Sequence, residues 1–486
     1  MNKAIIEGSI CRLKAEALSD TETIDVEYIG GGSFTEPNGK TLHSGLPPFY
    51  RVVLHSSPAE GSFIRTEVWL PEDWNGIFVG LGNGGIAGSI SYGALALRLR
   101  QGYSAANTDM GTSRGYYLSG VDNREVWKDF GWRSTHIMTL LGKQLCRVLY
   151  GKSPEFSYFF GASTGGQQAM SEAQRFPEDY DGIIAAVPAH NRTNLHAYFL
   201  WNHVHLRTRE GRVLFNADEV NIISNLAAAF FQNRCDGEKG DDFVSSPWLD
   251  ENTVSDFIAF LAVNHRDFTS EQLDALRAVY SGPVNTVTGK RIYNGMPIGS
   301  EIYGCGILDC AAEKAPHFYP FMWTFGADYC AHDFDFGKDM QRVNDLLDGD
   351  LNANATDLSA FADRGGKLIM YSGSADPCVP YPDALAYYKE VEKEAERRGR
   401  SRGFMKYFLI PGMDHGAGGK GANLVLGSQG EELLAALRAW RENGAPPEFL
   451  IAERRVKHEN GGESIVFSRR ILPCDQKTVN VPAFRH

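Results

Sequence analysis

The stretch FSYFFGASTGGQQAMSEAQRF (156–176) carries the information that decides the fold. FSYFFGA reads as a short, buried strand, and GGQQAMSEAQRF as a helix that stops before Pro177. Between them Gly161-Ala162-Ser163-Thr164-Gly165 sets a serine on a sharp strand-to-helix turn. Small residues are needed there because the central backbone is strained and crowded. The turn lifts the serine hydroxyl above the carboxyl edge of a sheet. A chain with 52 glycines yields G-x-S-x-G by chance, so the strand–turn–helix context carries the reading, not the motif alone.

Outward from this turn the same rhythm repeats. GIFVGLG (76–82), YSAANTD (103–109) and GIIAAVPA (182–189) read as strands, with RSTHIMTLLGKQLCRVLY (133–150) as a helix. Alternation of this kind predicts a mostly parallel sheet flanked by helices with right-handed crossovers. From about residue 191 the pattern changes. A helical run, ADEVNIISNLAAAFFQ (217–232), is followed by polar loops and an aromatic cluster, in which eight of the twenty residues from His317 to Phe336 are Phe, Tyr or Trp. The rhythm returns with GGKLIMYSGSAD (365–376), a charged helix over 382–398, MKYFLIPGMDHG (405–416) and a last helix in 430–443. The expected organisation is a catalytic domain of residues 1–190 and 346–486, with residues 191–345 inserted after the nucleophile region.

A serine hydroxyl needs a base to take its proton and an acid to orient that base. The order serine, acid, histidine along the chain, each after a later strand, selects Ser163, Asp376 and His415. Asp376 closes the strand KLIMYSGSAD, and His415 follows KYFLIPGMD in a glycine-rich loop. Asp414 and Asp383 are the competing acids, as a loop solvator and a helix-start residue. The oxyanion needs two backbone N–H donors, expected from Thr164 and from Gly84 or Gly85 in the loop after an early strand. That loop also fits G-x-G-x-x-G (80–85), with Asp109 at a later strand end, which is the basis of a dinucleotide-binding alternative. Against it, no strong helix begins directly after the last glycine.

The formal charge of −12 comes without a basic stripe, which argues against nucleic acid as a partner. No run of eighteen apolar residues predicts a membrane span. The opening MNKAIIEGSICRLKAEALSD lacks an apolar run of signal-peptide length, so a cytoplasmic location is expected unless a signal has been removed. The eight cysteines form no CxxC…CxxC pattern. Cys305 and Cys310 are compatible with a bridge and equally with free thiols. Oligomeric state is not legible.

Six stretches resemble the tannase/feruloyl esterase family: GLGNGGIAGSI (80–90), RQGYSAANTDMG (100–111), DFGWRSTH (129–136), YFFGASTGGQQAMSEAQRFPEDYDGIIAAVPAHN (158–191), DLSAFADRGGKLIMYSGSADPCVP (357–380) and FLIPGMDHGAGG (408–419). They run in order through nearly the whole chain. The resemblance implies an α/β-hydrolase fold with an inserted lid, and the same Ser163, Asp376 and His415 as triad. It implies a serine esterase acting on aromatic esters, hydroxycinnamoyl or galloyl, carried on plant polysaccharide or polyphenol, with no cofactor required. Feruloyl esterase is favoured over tannase. A non-catalytic phenol- or carbohydrate-binding protein on the same fold is the reading from another class.

Two departures from the family pattern stand out. Many members carry cysteines before the serine and after the histidine, joined in a disulfide; here those positions are Ala162 and Gly416, which fits a reducing compartment. The family's lid often holds structural calcium. The nearest stretch here, 233–247, keeps Asp236, Asp241 and Asp242 without the full spacing, so an ordinary solvated turn is the expectation. Phe318, Tyr319, Phe321, Trp323 and Phe325 are candidates for a substrate slot, one or two of them touching a phenolic ring and the rest packing.

Overall fold

The computed structural model describes residues 3–233, 241–245, 251–312, 318–401, 403–458, 461–474 and 484–485. Its strands in chain order are β1 (Thr21–Ile29), β2 (Gly32–Thr35), β3 (Leu42–Leu46), β4 (Phe49–Ser56), β5 (Ile64–Pro71), β6 (Ile77–Leu81), β7 (Ser104–Thr108), β8 (Phe156–Ala162), β9 (Gly182–Ala186), β10 (Lys367–Gly373), β11 (Met405–Ile410), β12 (Leu424–Leu426), β13 (Leu450–Lys457), β14 (Glu463–Ile471) and β15 (Phe484–Arg485). The large sheet has the order β1-β4-β5-β7-β6-β8-β9-β10-β11, and β12 to β15 form a smaller one. The chain divides into two compact units, residues 1–185 with 350–368, and 186–349 with 369–486.

In the first unit β6 lies parallel to both β7 and β8, with Val79 opposite Ala105 and Tyr158. These strands are apolar on both faces: Phe78, Val79, Ala105, Ala106, Tyr158 and Phe159 are all fully buried. That is what a sheet covered by helices requires. The helix Ser134–Tyr150 shows why one position in its run is glycine. A Cβ on Gly142 would stand 2.4 Å from the Phe78 ring. β1, β4 and β5 add an antiparallel flank, with Val26 opposite Val52 and Val52 opposite Val68. The sheet's edge strand, TETIDVEYI, carries three acidic residues, Glu22, Asp25 and Glu27, and a register break between Thr23 and Asp25, both of which discourage edge-to-edge pairing. β5 holds a fully buried glutamate, Glu67. Arg51 donates to it twice at 2.8 Å, and Arg65 and Tyr92 donate at 2.6 and 2.8 Å.

In the second unit the helices Arg192–Leu206, Ala217–Asn233, Glu251–Asn264 and Ser270–Ser281 share a core in which Tyr198, Ile223, Phe257, Leu276 and Tyr280 are buried. Ser270–Ser281 starts with a capping box: Thr269 accepts from the Gln272 N–H, and the Gln272 side chain accepts from the Thr269 N–H. β13 and β14 pair antiparallel, Leu450 opposite Ile471. Arg469 on β14 is fully buried and makes a two-pronged contact with Asp241, at 2.9 and 2.5 Å. Asp241 thus spends its carboxylate on an arginine; Asp236 lies outside the described residues. No helix among the described residues is long and apolar enough to cross a membrane.

Candidate active site

In the first unit β8 ends at Ala162 and the helix Thr164–Arg175 begins two residues later. Ser163 between them has φ 62° and ψ −117°, a backbone conformation that L-residues rarely adopt. Three glycines hold it. A Cβ on Gly161 would lie 2.1 Å from the Gly165 carbonyl oxygen, and one on Gly82 would lie 2.5 Å from the Gly165 Cα. The turn and the loop after β6 therefore touch backbone to backbone. Gly165 N–H donates to the Asn83 carbonyl at 2.7 Å, and the Thr164 hydroxyl to the Gly85 carbonyl at 2.5 Å.

The loop's own amides divide in two. The Asn83 N–H is taken by Gln168 Oε1 at 2.8 Å, and the Asn83 side chain donates to the Thr108 carbonyl at 2.8 Å. Among the described residues the N–H groups of Gly84 and Gly85 meet no acceptor, and both glycines are exposed. A cavity of about 360 Å³ opens over this loop, lined by Gly82, Asn83, Gly84, Ser89 and Ser91 among others. Gln168, which orients Asn83, was not picked out from the sequence; nothing in a polar helical pattern separates it from a surface glutamine.

The dinucleotide alternative fails on the same loop. A Cβ on Gly80 would strike the Tyr180 hydroxyl at 2.1 Å, so that glycine serves strand packing. Asp109 is buried and accepts from the Arg65 and Gly111 N–H groups at 2.9 Å each, which leaves it facing backbone and not a ribose. The next helix begins only at Tyr92.

In the second unit Asp376 and His415 come together. Asp376 is fully buried; its Oδ2 lies 2.8 Å from His415 Nδ1, and its Oδ1 accepts from the Cys378 and Val379 N–H groups at 2.8 and 3.0 Å. The two loops are tied directly. Ala375 N–H donates to the Met413 carbonyl at 3.0 Å, and Gly412 N–H to the Ser374 hydroxyl at 2.7 Å. The His415 side chain is 27% exposed. Burial pushes its ring toward the neutral form, but Asp376 outweighs this and holds the ring's pKa above the ordinary 6.5.

Of the competing acids, Asp383 is engaged elsewhere and Asp414 is not paired with His415 Nδ1. Asp383 Oδ2 lies 3.2 Å from His190 Nε2 and its Oδ1 accepts from Asn191. Asp414 is half-buried, with Oδ1 unmet by any donor, and its carboxyl is pushed up to about 6, mainly by burial. The cysteine expectation needs correcting. Cys305 is bonded to Cys378, whereas Cys310 is a buried free thiol whose Sγ donates to the Cys305 carbonyl at 3.1 Å. Cys310 sits on the short helix Ile307–Cys310, directed to the neighbouring helix through Asn202, so its partner five residues away is out of line. A disulfide thus ties down the loop that carries Asp376. Only the chain's return over 73 residues brings the two cysteines together, which no local spacing announces.

The aromatic cluster packs largely on itself. Tyr319, Phe321 and Trp323 are buried, while Phe318 and Phe325 are half-buried. Tyr319 lies tilted against Trp323 and edge-to-face with His196, Phe321 meets Phe334 edge-to-face, and Phe325 stacks on Tyr329.

Comparison with known proteins follows the same outline. The family model "Tannase and feruloyl esterase" matches residues 50–309 and 323–473. An uncharacterized esterase of Xanthomonas campestris pv. campestris is 29% identical, covering 99% of this chain and 90% of its own length. Feruloyl esterase B of Aspergillus niger is 29% identical over 86% of this chain and 81% of its own. Among solved structures, feruloyl esterase B from Aspergillus oryzae superposes with a TM-score of 0.81 at 23% identity, covering 96% of this chain and 95% of that one. Tannin acyl hydrolase from Aspergillus niger gives 0.73 at 18% identity, covering 99% and 94%. These likenesses establish the α/β-hydrolase fold that the resemblance implied, and with the family match over most of its length, this chain belongs to the tannase and feruloyl esterase family.

Proposed function

We propose that this chain is a serine carboxylic ester hydrolase that cleaves aromatic esters, feruloyl esters in preference to galloyl ones, through an acyl-enzyme. The observation that carries the reading is the 2.8 Å pairing of buried Asp376 with His415 Nδ1. It fixes the imidazole tautomer and turns Nε2 to act as base. Ser163 on its strained turn is the nucleophile: its proton passes to His415 as the hydroxyl oxygen bonds to the ester carbonyl carbon. The N–H groups of Thr164 and of Gly84 or Gly85 receive the oxyanion. His415 next protonates the leaving alcohol, and then takes a proton from the water that releases the acid. The chemistry requires no cofactor.

Residues 191–345 act as the lid in this reading, with half-buried Phe318 and Phe325 as its substrate-facing rings. The acyl pocket distinguishes ferulate from gallate by hydroxyl partners, because three adjacent buried hydroxyls each need one. The bridge between Cys305 and Cys378 supports residence in an oxidising compartment, against the cytoplasmic expectation.

The test is hydrolysis of methyl ferulate and methyl gallate by wild type and Ser163→Ala, with intact-mass detection of the acyl-enzyme. Turnover of methyl ferulate and an adduct on wild type alone are expected. Turnover of methyl gallate only makes the chain a tannase. Undiminished activity in Ser163→Ala rules out the mechanism, and no turnover of either ester with no acyl adduct means that the substrate is another ester or that the fold serves binding.

A further inference from the structure

A second constellation lies under the nucleophile helix, in the first unit. Glu172, nine residues after Ser163 on the helix Thr164–Arg175, is fully buried, and neither carboxylate oxygen is met by a donor. Asp179, also buried, has Oδ2 at 2.6 Å from His136 Nδ1 on the helix Ser134–Tyr150. One potential ligand atom from each of the three side chains lies within 4.8 Å of the other two.

Two carboxylates that face one another away from water need a positive species between them. The nearby charges do not supply it. The Lys143 ammonium donates to the backbone carbonyl of Asp179, not to either carboxylate, and Asp181 is occupied with the Ser157 N–H at 2.9 Å. Arg364 donates to the Glu178 carbonyl at 3.5 Å.

We propose that His136, Glu172 and Asp179 bind a divalent cation of the zinc class, which cross-links the nucleophile helix to the preceding helix and to the loop before β9. One imidazole with two carboxylates suits zinc and its neighbours. Calcium, which takes six to eight oxygens, is poorly served. His136 is 22% exposed and provides the way in. Zinc held at about 2.0–2.2 Å separates its ligands by roughly 3.3 Å, so the ion replaces the His136–Asp179 hydrogen bond with a modest opening of the pair.

The experiment titrates chelator-stripped wild type with zinc chloride by calorimetry, with elemental analysis and a thermal melt. One zinc per chain is expected, with a melting temperature raised by about 3–5 °C at a hundredfold excess over Kd, and little effect of calcium. Glu172→Gln and His136→Ala should each weaken this binding at least thirtyfold. Zinc binding that survives Glu172→Gln belongs to another site and overturns the proposal. So does a protonated-carboxyl infrared band that persists in zinc-saturated wild type and vanishes in Glu172→Gln, because a shared proton then fills the gap. If Glu172→Gln does not fold, wild-type crystals soaked in zinc chloride decide: an anomalous peak among the three side chains supports the site, and its absence refutes it.

Discussion

The turn at Ser163 and the loops that carry Asp376 and His415 are held in place by different means. Around Ser163 the backbone does the work: Gly82, Gly161 and Gly165 approach so closely that no Cβ fits between them. Around His415 the work falls to side chains and a covalent bond. Asp376 is held by two amides of its own loop, one of them from Cys378, which the bridge to Cys305 anchors. A backbone-coded site is legible as a short motif. A site coded by contacts between distant residues is visible only once the chain has folded.

The comparison can be broken from either side. The largest effect is expected from Asp376→Asn, which preserves the shape but reverses the imidazole tautomer: kcat should fall about 10⁴-fold with the melting temperature little changed. The acidic limb of kcat/KM rises as His415 loses its proton, above the ordinary 6.5 in wild type, and should move down in this variant because Asp376 is what holds the ring's pKa up. Next comes Gly161→Ala, whose methyl meets the Gly165 carbonyl. Activity should fall at least 10²-fold together with a loss of stability of about 3 kcal/mol, read by denaturant unfolding. Full activity in this variant would mean that the backbone contact is dispensable.

Removing the bridge with Cys305→Ser and Cys378→Ser should cost about 4 kcal/mol for a loop of this length, and lower kcat several-fold as the acid loop loosens. A kcat unchanged while stability drops would separate the bridge from the catalytic geometry. The smallest effect concerns Asp414. Its carboxyl titrates at about 6 in the folded chain against an ordinary 3.8, so the folded state binds the extra proton and stability is lost as pH rises through that interval. Asp414→Asn should therefore raise the melting temperature at pH 8 and leave it nearly unchanged at pH 4.

Several elements could be read directly from sequence because periodicity and turn chemistry are local. Strands β6 to β11 and the helices Ser134–Tyr150 and Thr164–Arg175 lie where apolar runs and glycine-bounded turns put them. Others resisted. β5 is not legible because Arg65, Thr66 and Glu67 fill its first half, and only the arginines and tyrosine folded over Glu67 explain that residue's burial. The smaller sheet is similarly masked, since Arg469 sits fully buried in β14 opposite Asp241, a partner 228 residues away.

By itself, then, the sequence determined the serine's turn, the order of the strand ends that carry the acid and histidine, and the family, because each is written in residues adjacent along the chain. The tertiary structure alone decided the distance at which Asp376 meets His415, which cysteines join, which amides after β6 are left without an acceptor among the described residues, and where Glu172 is buried. Each of these depends on distances between residues far apart in sequence, and only packing sets such distances.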